Sequence, residues 1–214
     1  MPVRLFPPEC IFFDLDDTLY PPDRGVWREI AARINRYMVE RTGIPEPEVD
    51  ALRKRYFSEY GTSLNGLRAE HKVDPVDYYR FVHDIPLDQF LQPDPALRTM
   101  LQSLPQKKFI FSNADRPYIF RVLSTLGIED CFEGIVDIFS THFACKPMDA
   151  AYRIALQAAG SPRPEACILV DDLPRNLEPA REMGMTAVLV HDKFPAAEVD
   201  YRIESIYQLA GLIA

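Results

Sequence analysis

Apolar residues along this chain follow two rhythms, which alternate after residue 95 but not before it. A short apolar run, Ile11-Phe12-Phe13, breaks at once into Asp14, Asp16 and Asp17 and then into Pro21-Pro22. A run of this length, rich in aromatics and cut off by polar residues, predicts a buried strand whose carboxyl end opens into a loop. From Trp27 to about Phe90 the spacing is helical instead. Trp27, Ile30, Ala31, Ile34, Tyr37 and Met38 share one face, Val49, Leu52, Tyr56 and Phe57 another, and a third patch runs from Val76 to Val82 after Asp74-Pro75. Beyond Pro93-Asp94-Pro95 helices and strands take turns. Helices are expected over 96–104 and 116–126, the latter stopped by Gly127, then from Lys146-Pro147 through Ala158, and before Gly184; strands over 108–111, 134–139, 167–170 and 186–190. Such alternation predicts an α/β fold built on a doubly wound parallel sheet, with a core over residues 1–19 and 96–214 and an all-helical insert over 20–95.

Composition narrows the class of function. The 214 residues suffice for one domain with a sizeable insert, and 47% hydrophobic with 26% charged residues is ordinary for a globular enzyme. A net charge of −8 argues against a nucleic acid polymer or an anionic membrane as partner, since either requires a basic face. Cys10, Cys131, Cys145 and Cys167 lie far apart without a Cys-x-x-Cys spacing; they read as buried free thiols and imply a reducing, cytoplasmic setting. The N-terminus lacks the apolar core of a signal peptide, and no run reaches transmembrane length. The oligomeric state is not legible.

The chemistry concentrates where strands end. Two carboxylates about 4 Å apart repel by roughly 4 kcal/mol at an effective dielectric near 20, so the acids after Phe13 need a cation, a shared proton or a wide splay. The carboxyl ends of strands in an open α/β sheet are also where ligands bind. Four polar sets occupy such positions: Asp14 with Asp16, Ser112 with Asn113, Lys146, and Asp171 with Asp172.

Type, order and strand context of these sets resemble the four motifs of the haloacid dehalogenase-like (HAD) superfamily, beginning with Asp-x-Asp-x-Thr at Asp14, Asp16 and Thr18. The resemblance covers the whole chain, with residues 20–95 in place of the family's helical C1-type cap. It implies that Asp14 is a nucleophile forming an aspartyl phosphate and that Asp16 is the general acid and base. Members that cleave carbon–halogen or carbon–phosphorus bonds usually lack an acid two residues on, so Asp16 points to a phosphatase or phosphomutase. Ser112, Asn113 and Lys146 would bind phosphoryl oxygens, Lys146 also offsetting charge on the nucleophile. Asp14, Asp172 and the carbonyl of Asp16 would hold Mg²⁺, a hard cation that prefers oxygen ligands, with Asp171 behind them. Asp17 stands where many members have Gly, which narrows the subgroup.

The insert refines the expectation. Its segments 59–67 and 77–84, with Asp-Leu-Asp-Asp-Thr-Leu-Tyr-Pro and Phe-Ser-Asn-Ala-Asp elsewhere, resemble the pyrimidine 5'-nucleotidase branch, which implies hydrolysis of UMP or CMP. Tyr60, Thr62, Ser63 and Asn65, flanked by glycines, are expected to form a substrate-facing loop, while Tyr78, Phe81 and Val82 are expected in the insert's own core. Of the four histidines only His83 invites a test; none has ligand spacing. Alternatives are a phosphatase or phosphomutase for sugar phosphates or other small metabolites, and a catalytically idle regulatory or binding protein on the same fold.

Overall fold

The computed structural model describes residues 8–191, 194 and 197–213. In chain order the elements are β1 (Cys10–Phe13), α1 (Val26–Thr42), α2 (Glu46–Glu59), α3 (Ser63–His71), α4 (Pro75–Val82), α5 (Pro95–Ser103), β2 (Lys107–Phe111), α6 (Arg116–Leu126), β3 (Gly134–Val136), α7 (Asp149–Ala158), β4 (Cys167–Asp171), α8 (Pro174–Glu182), β5 (Thr186–Val190), β6 (Tyr201–Ile203) and α9 (Leu209–Ile213). The six strands are all parallel, in the order β3-β2-β1-β4-β5-β6. Strand succession therefore reverses between β1 and β4, and at such a switch point the two flanking connections leave in opposite directions and open a crevice. Asp14 and Asp171 flank this crevice, where the Asp14 backbone N–H donates to Val170 at 2.9 Å.

The pleat explains why the strands read as unbroken apolar runs. Ile11, Phe13, Ile110, Ile168, Val170 and Val188 face one layer, and Phe12, Phe109, Phe111, Leu169, Ala187 and Leu189 the other, so both faces are buried. Helices α7 and α8 cover the second face with Ala151, Tyr152, Ala155, Leu177 and Ala180. Helices α5, α6 and α9 cover the first, and its core runs on without interruption into Val26, Ile30, Tyr56 and Tyr78 of the inserted helices. Caps fix the starts. Thr62 Oγ1 accepts from the Asn65 N–H at 3.1 Å to open α3, and Asp74 and Asp94 accept from Val76 and Leu97 at 2.9 and 2.8 Å to open α4 and α5.

Two elements depart from the sequence expectation by more than a residue at an end, and two others were not expected. The strand expected over 134–139 stops at Val136, because Asp137 and Ser140 bond each other's backbone N–H groups at 2.9 and 3.3 Å and turn the chain. The helix expected from Lys146-Pro147 starts at Asp149, because the Met148 N–H closes a turn on the Cys145 carbonyl at 2.7 Å. Strand β6 and helix α9, which no periodicity signalled, complete the sheet edge and the first layer.

Candidate active site

Asp14, Asp171 and Asn113 at the switch point are all bonded to Lys146. Its ammonium lies between two carboxylates, 2.7 Å from Asp14 Oδ1 and 2.6 Å from Asp171 Oδ2, and the residue is 1% exposed. Asp171 is saturated: Oδ1 accepts from the Leu173 N–H at 2.9 Å, and Asn176 Nδ2 bridges both oxygens at 3.0 and 3.1 Å. The Lys146 backbone is fixed as well. Asn113 donates to its carbonyl at 3.1 Å and accepts from its N–H at 2.8 Å, a reciprocal pair that holds the Asn113 side chain. The second Nδ2 hydrogen and the backbone N–H of Asn113 remain for a phosphoryl group.

Two carboxylates share one ammonium here, and the protonation balance follows from that count. Burial first, then the charges of Asp171 and Asp16, push the Asp14 carboxyl up to about 7, against the opposing pull of Lys146. For Lys146 burial works against the charged form, but Asp14 and Asp171 outweigh it and hold the pKa above the ordinary lysine value. Thr18 Oγ1 donates to Asp14 Oδ2 at 3.2 Å.

Asp16 is held differently. Its Oδ1 accepts from the Tyr20 hydroxyl and, at 2.6 Å, from the Tyr118 hydroxyl, and the residue lines the cavity. Burial and the neighbouring Asp16 charge raise both phenols well above the usual tyrosine value, so both keep the proton they donate. Behind them His83 is stacked on Tyr118 with centroids 4.0 Å apart and meets Asp115 Oδ1 at 2.6 Å. Sequence reasoning missed both tyrosines, although Tyr20 directly follows the motif.

These groups open into a cavity of about 500 Å³ between the sheet and the inserted helices, within the usual range for a small-molecule site. Asp14, Asp16, Ser112, Asn113, Lys146 and Asp172 lie on its sheet side. Ser112 Oγ accepts from the Ala114 N–H at 3.1 Å, so its proton is directed elsewhere. Of the expected substrate loop, Thr62 and Ser63 line the cavity with Gly61, whereas Tyr60 and Asn65 do not. The Tyr60 hydroxyl donates to Glu70 at 3.2 Å, and Asn65 Nδ2 donates to the carbonyls of Tyr60 and Phe143 at 3.3 and 3.0 Å. Both residues tie the loop to its surroundings. Gly61 has φ +82°, and a Cβ there would collide with Cys145 Sγ, so the loop lies tightly on the sheet domain. Tyr78 and Val82, expected only as core, are buried and also line the cavity, as do Trp27, Arg53, Lys54 and Phe57, which sequence reasoning did not select.

Asp14, Asp171 and Asp172 bring one carboxylate oxygen each within 4.8 Å of one another, all three residues being buried. Three hard anionic donors against one ammonium leave negative charge for a divalent cation to offset, so the residues fit Mg²⁺. Since Asp171 is saturated by Lys146, Leu173 and Asn176 and does not line the cavity, while Asp172 does, the direct ligands would be Asp14 and Asp172.

Comparison with known proteins identifies the family of the chain. The family model for haloacid dehalogenase-like hydrolases matches residues 8–184. The chain is 30% identical over 195 residues to phosphate metabolism protein 8 of Saccharomyces cerevisiae, covering 85% of this chain and 61% of that protein's length. It is 25% identical over 207 residues to the glyceraldehyde 3-phosphate phosphatase of Methanothermobacter thermautotrophicus, covering 90% of each. Among solved structures, the magnesium-bound HAD-hydrolase YfnB of Bacillus subtilis superposes with a TM-score of 0.64 at 16% identity, covering 99% of each chain, a likeness of fold. With the family model matching most of its length, the chain belongs to the haloacid dehalogenase-like hydrolases.

Proposed function

We propose that this protein is a Mg²⁺-dependent phosphatase that hydrolyses nucleoside 5'-monophosphates, pyrimidine ones foremost, through an aspartyl phosphate on Asp14. One observation carries the reading: Asp14 and a doubly hydrogen-bonded Asp16 face a single cavity whose volume suits a nucleoside and which a triose would leave largely empty. Phosphate monoester hydrolysis is among the slowest uncatalysed reactions, and covalent catalysis divides it into two easier displacements. Asp14, steered by Lys146 and Thr18, attacks phosphorus in line. Asp16 gives its proton from Oδ2 to the departing oxygen, and then removes one from the water that opens the acyl phosphate. Tyr20 and Tyr118 keep Asp16 pointed at that oxygen throughout. Ser112 and the neighbouring backbone N–H groups bind phosphoryl oxygens, and Lys146 offsets the charge that builds between carboxylate and phosphate. Bound through Asp14 and Asp172, Mg²⁺ would add the positive charge that lets two anions approach. The four buried free thiols suit a reducing, cytoplasmic setting, and among the described residues no helix is long and apolar enough to cross a membrane.

A second reading, a phosphatase for small sugar phosphates, is favoured by the similarity to the glyceraldehyde 3-phosphate phosphatase. Turnover of UMP, CMP, AMP and glyceraldehyde 3-phosphate, with Mg²⁺ and with a chelator, separates the two. UMP or CMP should give the highest kcat/KM and the chelator should abolish it; a preference for the triose phosphate would select the second reading.

A further inference from the structure

The wall of the cavity opposite Asp14 is built unlike the rest of the inserted helices. Several of their aromatic rings pair, some of them also at the cavity: Tyr37 with Tyr78, Tyr56 with Tyr60, Tyr79 with His83. Trp27 on α1 pairs with no ring among the described residues and is 46% exposed, with cavity on its open side. Nearby on the wall, Phe57 of α2 is 44% exposed and carries the Arg175 guanidinium 3.9 Å from its centroid. Between them in sequence is Arg53. Its Nη1 bonds Asn35 Oδ1 at 2.7 Å and the Ala31 carbonyl at 3.4 Å, but its Nε is buried and has no hydrogen-bond partner. Arg53 lines the cavity, and its Nη2, unlike the sealed Nε, makes no hydrogen bond among the described residues without being buried, so a ligand seated there can take that donor and cover the exposed indole.

We infer that Trp27 and Arg53 form the specificity subsite for the leaving group: Trp27 stacks on a flat ring and Arg53 donates to an oxygen acceptor on that ring's edge. The inference rests on the phosphatase reading only for its orientation, with the phosphoryl group at Asp14 and the ring at α1 and α2. It selects phosphomonoesters whose alcohol carries a planar ring bearing a carbonyl oxygen, a pyrimidine nucleoside among them, over open-chain or sugar phosphates. In this arrangement Asn35 only ties Arg53 to α1.

Trp27 is the single tryptophan of the chain, so intrinsic fluorescence reads this wall directly. The probes are uridine, which has the ring and no phosphoryl group, and ribose 5-phosphate, which has the phosphoryl group and no ring. Uridine should quench the wild-type emission saturably. Arg53→Met should raise its half-saturation about tenfold or more, about 1.4 kcal/mol, while Asn35→Ala stays within about twofold. In turnover, Arg53→Met should lower kcat/KM for UMP about tenfold and leave phenyl phosphate within about twofold. Uridine giving no saturable change, or Asn35→Ala losing as much as Arg53→Met, would overturn the subsite. Arg53-dependent uridine binding by a protein that hydrolyses no phosphomonoester would uphold the subsite and sink the phosphatase reading. UMP turnover indifferent to Arg53→Met would do the reverse.

Discussion

The two walls of the cavity obey opposite rules. On the sheet side the polar groups are largely held in place: Lys146 by two carboxylates, Asn113 by a backbone, Asp16 Oδ1 by two tyrosines, and behind them Asp171 by three donor groups. On the helical side a tryptophan lies half open and an arginine nitrogen has no partner. A reaction that passes through charged, short-lived states requires groups fixed before substrate arrives, because reorganising them during the step would raise the barrier. Selection among leaving groups makes the contrary demand, for surface and donors that only the ligand completes. The first wall is therefore costly to disturb for every substrate, and the second for some.

The sharpest break falls on Asp14, the proposed nucleophile. Asp14→Asn should reduce turnover of every ester by at least about 10³-fold, measured by phosphate release, since an amide cannot form the acyl phosphate. It should also change the pH dependence of stability. A carboxyl raised to about 7 in the folded protein and near 3.8 when unfolded binds more protons folded than unfolded across that window. Stability of the chelated wild type should accordingly fall by a few kcal/mol as pH rises from about 4 to 7, and Asp14→Asn should flatten that decline in denaturant titrations.

Next comes Lys146→Ala. It leaves Asp14 and Asp171 buried without their shared cation, a class of change that costs about 3–5 kcal/mol, and it should lower the melting temperature as well as turnover. Unchanged stability would mean that the ion pair is not formed in solution. A smaller effect is expected at the loop. Because the Asn65 side chain bonds Phe143 and Tyr60 carbonyls and does not reach the cavity, Asn65→Ala should lower kcat/KM by about three- to tenfold alike for UMP and phenyl phosphate. A loss confined to UMP would move Asn65 to the selective wall. The smallest effect belongs to Tyr118→Phe, which removes one of two donors to Asp16 and should slow kcat about threefold, more on esters with poor leaving groups than on aryl phosphates. Equal slowing on both would show that Tyr118 acts on packing rather than on Asp16.

Much of the sheet-side wall was legible because its polar residues are local to strand ends. An apolar run broken by acids gives both the strand and its tip, and each tip inherits a place at the crevice from the parallel order. The helical wall was not legible for a reason that periodicity cannot escape. A helix stripe facing a hydrophobic core and one facing a ligand cavity have the same composition, so Trp27 and Phe57 joined the stripes of Ile30 and Tyr56 in sequence while the structure separates them by burial. Tyr60 and Asn65 show the converse: polar residues between glycines suggest a binding loop, and here they hold the loop in place.

By itself the sequence determined the parallel α/β core, the helical insert before residue 95 and the residues that meet at the strand tips, because alternating periodicity and motif order encode those without reference to distant contacts. Only the tertiary structure decided that Asp171 serves Lys146, that Tyr20 and Tyr118 aim Asp16, and which face of α1 and α2 looks into the cavity. Each of these joins residues from separate elements, Asp16 and Tyr118 being 102 positions apart. Their partners are set by how the layers pack, and no local pattern records that.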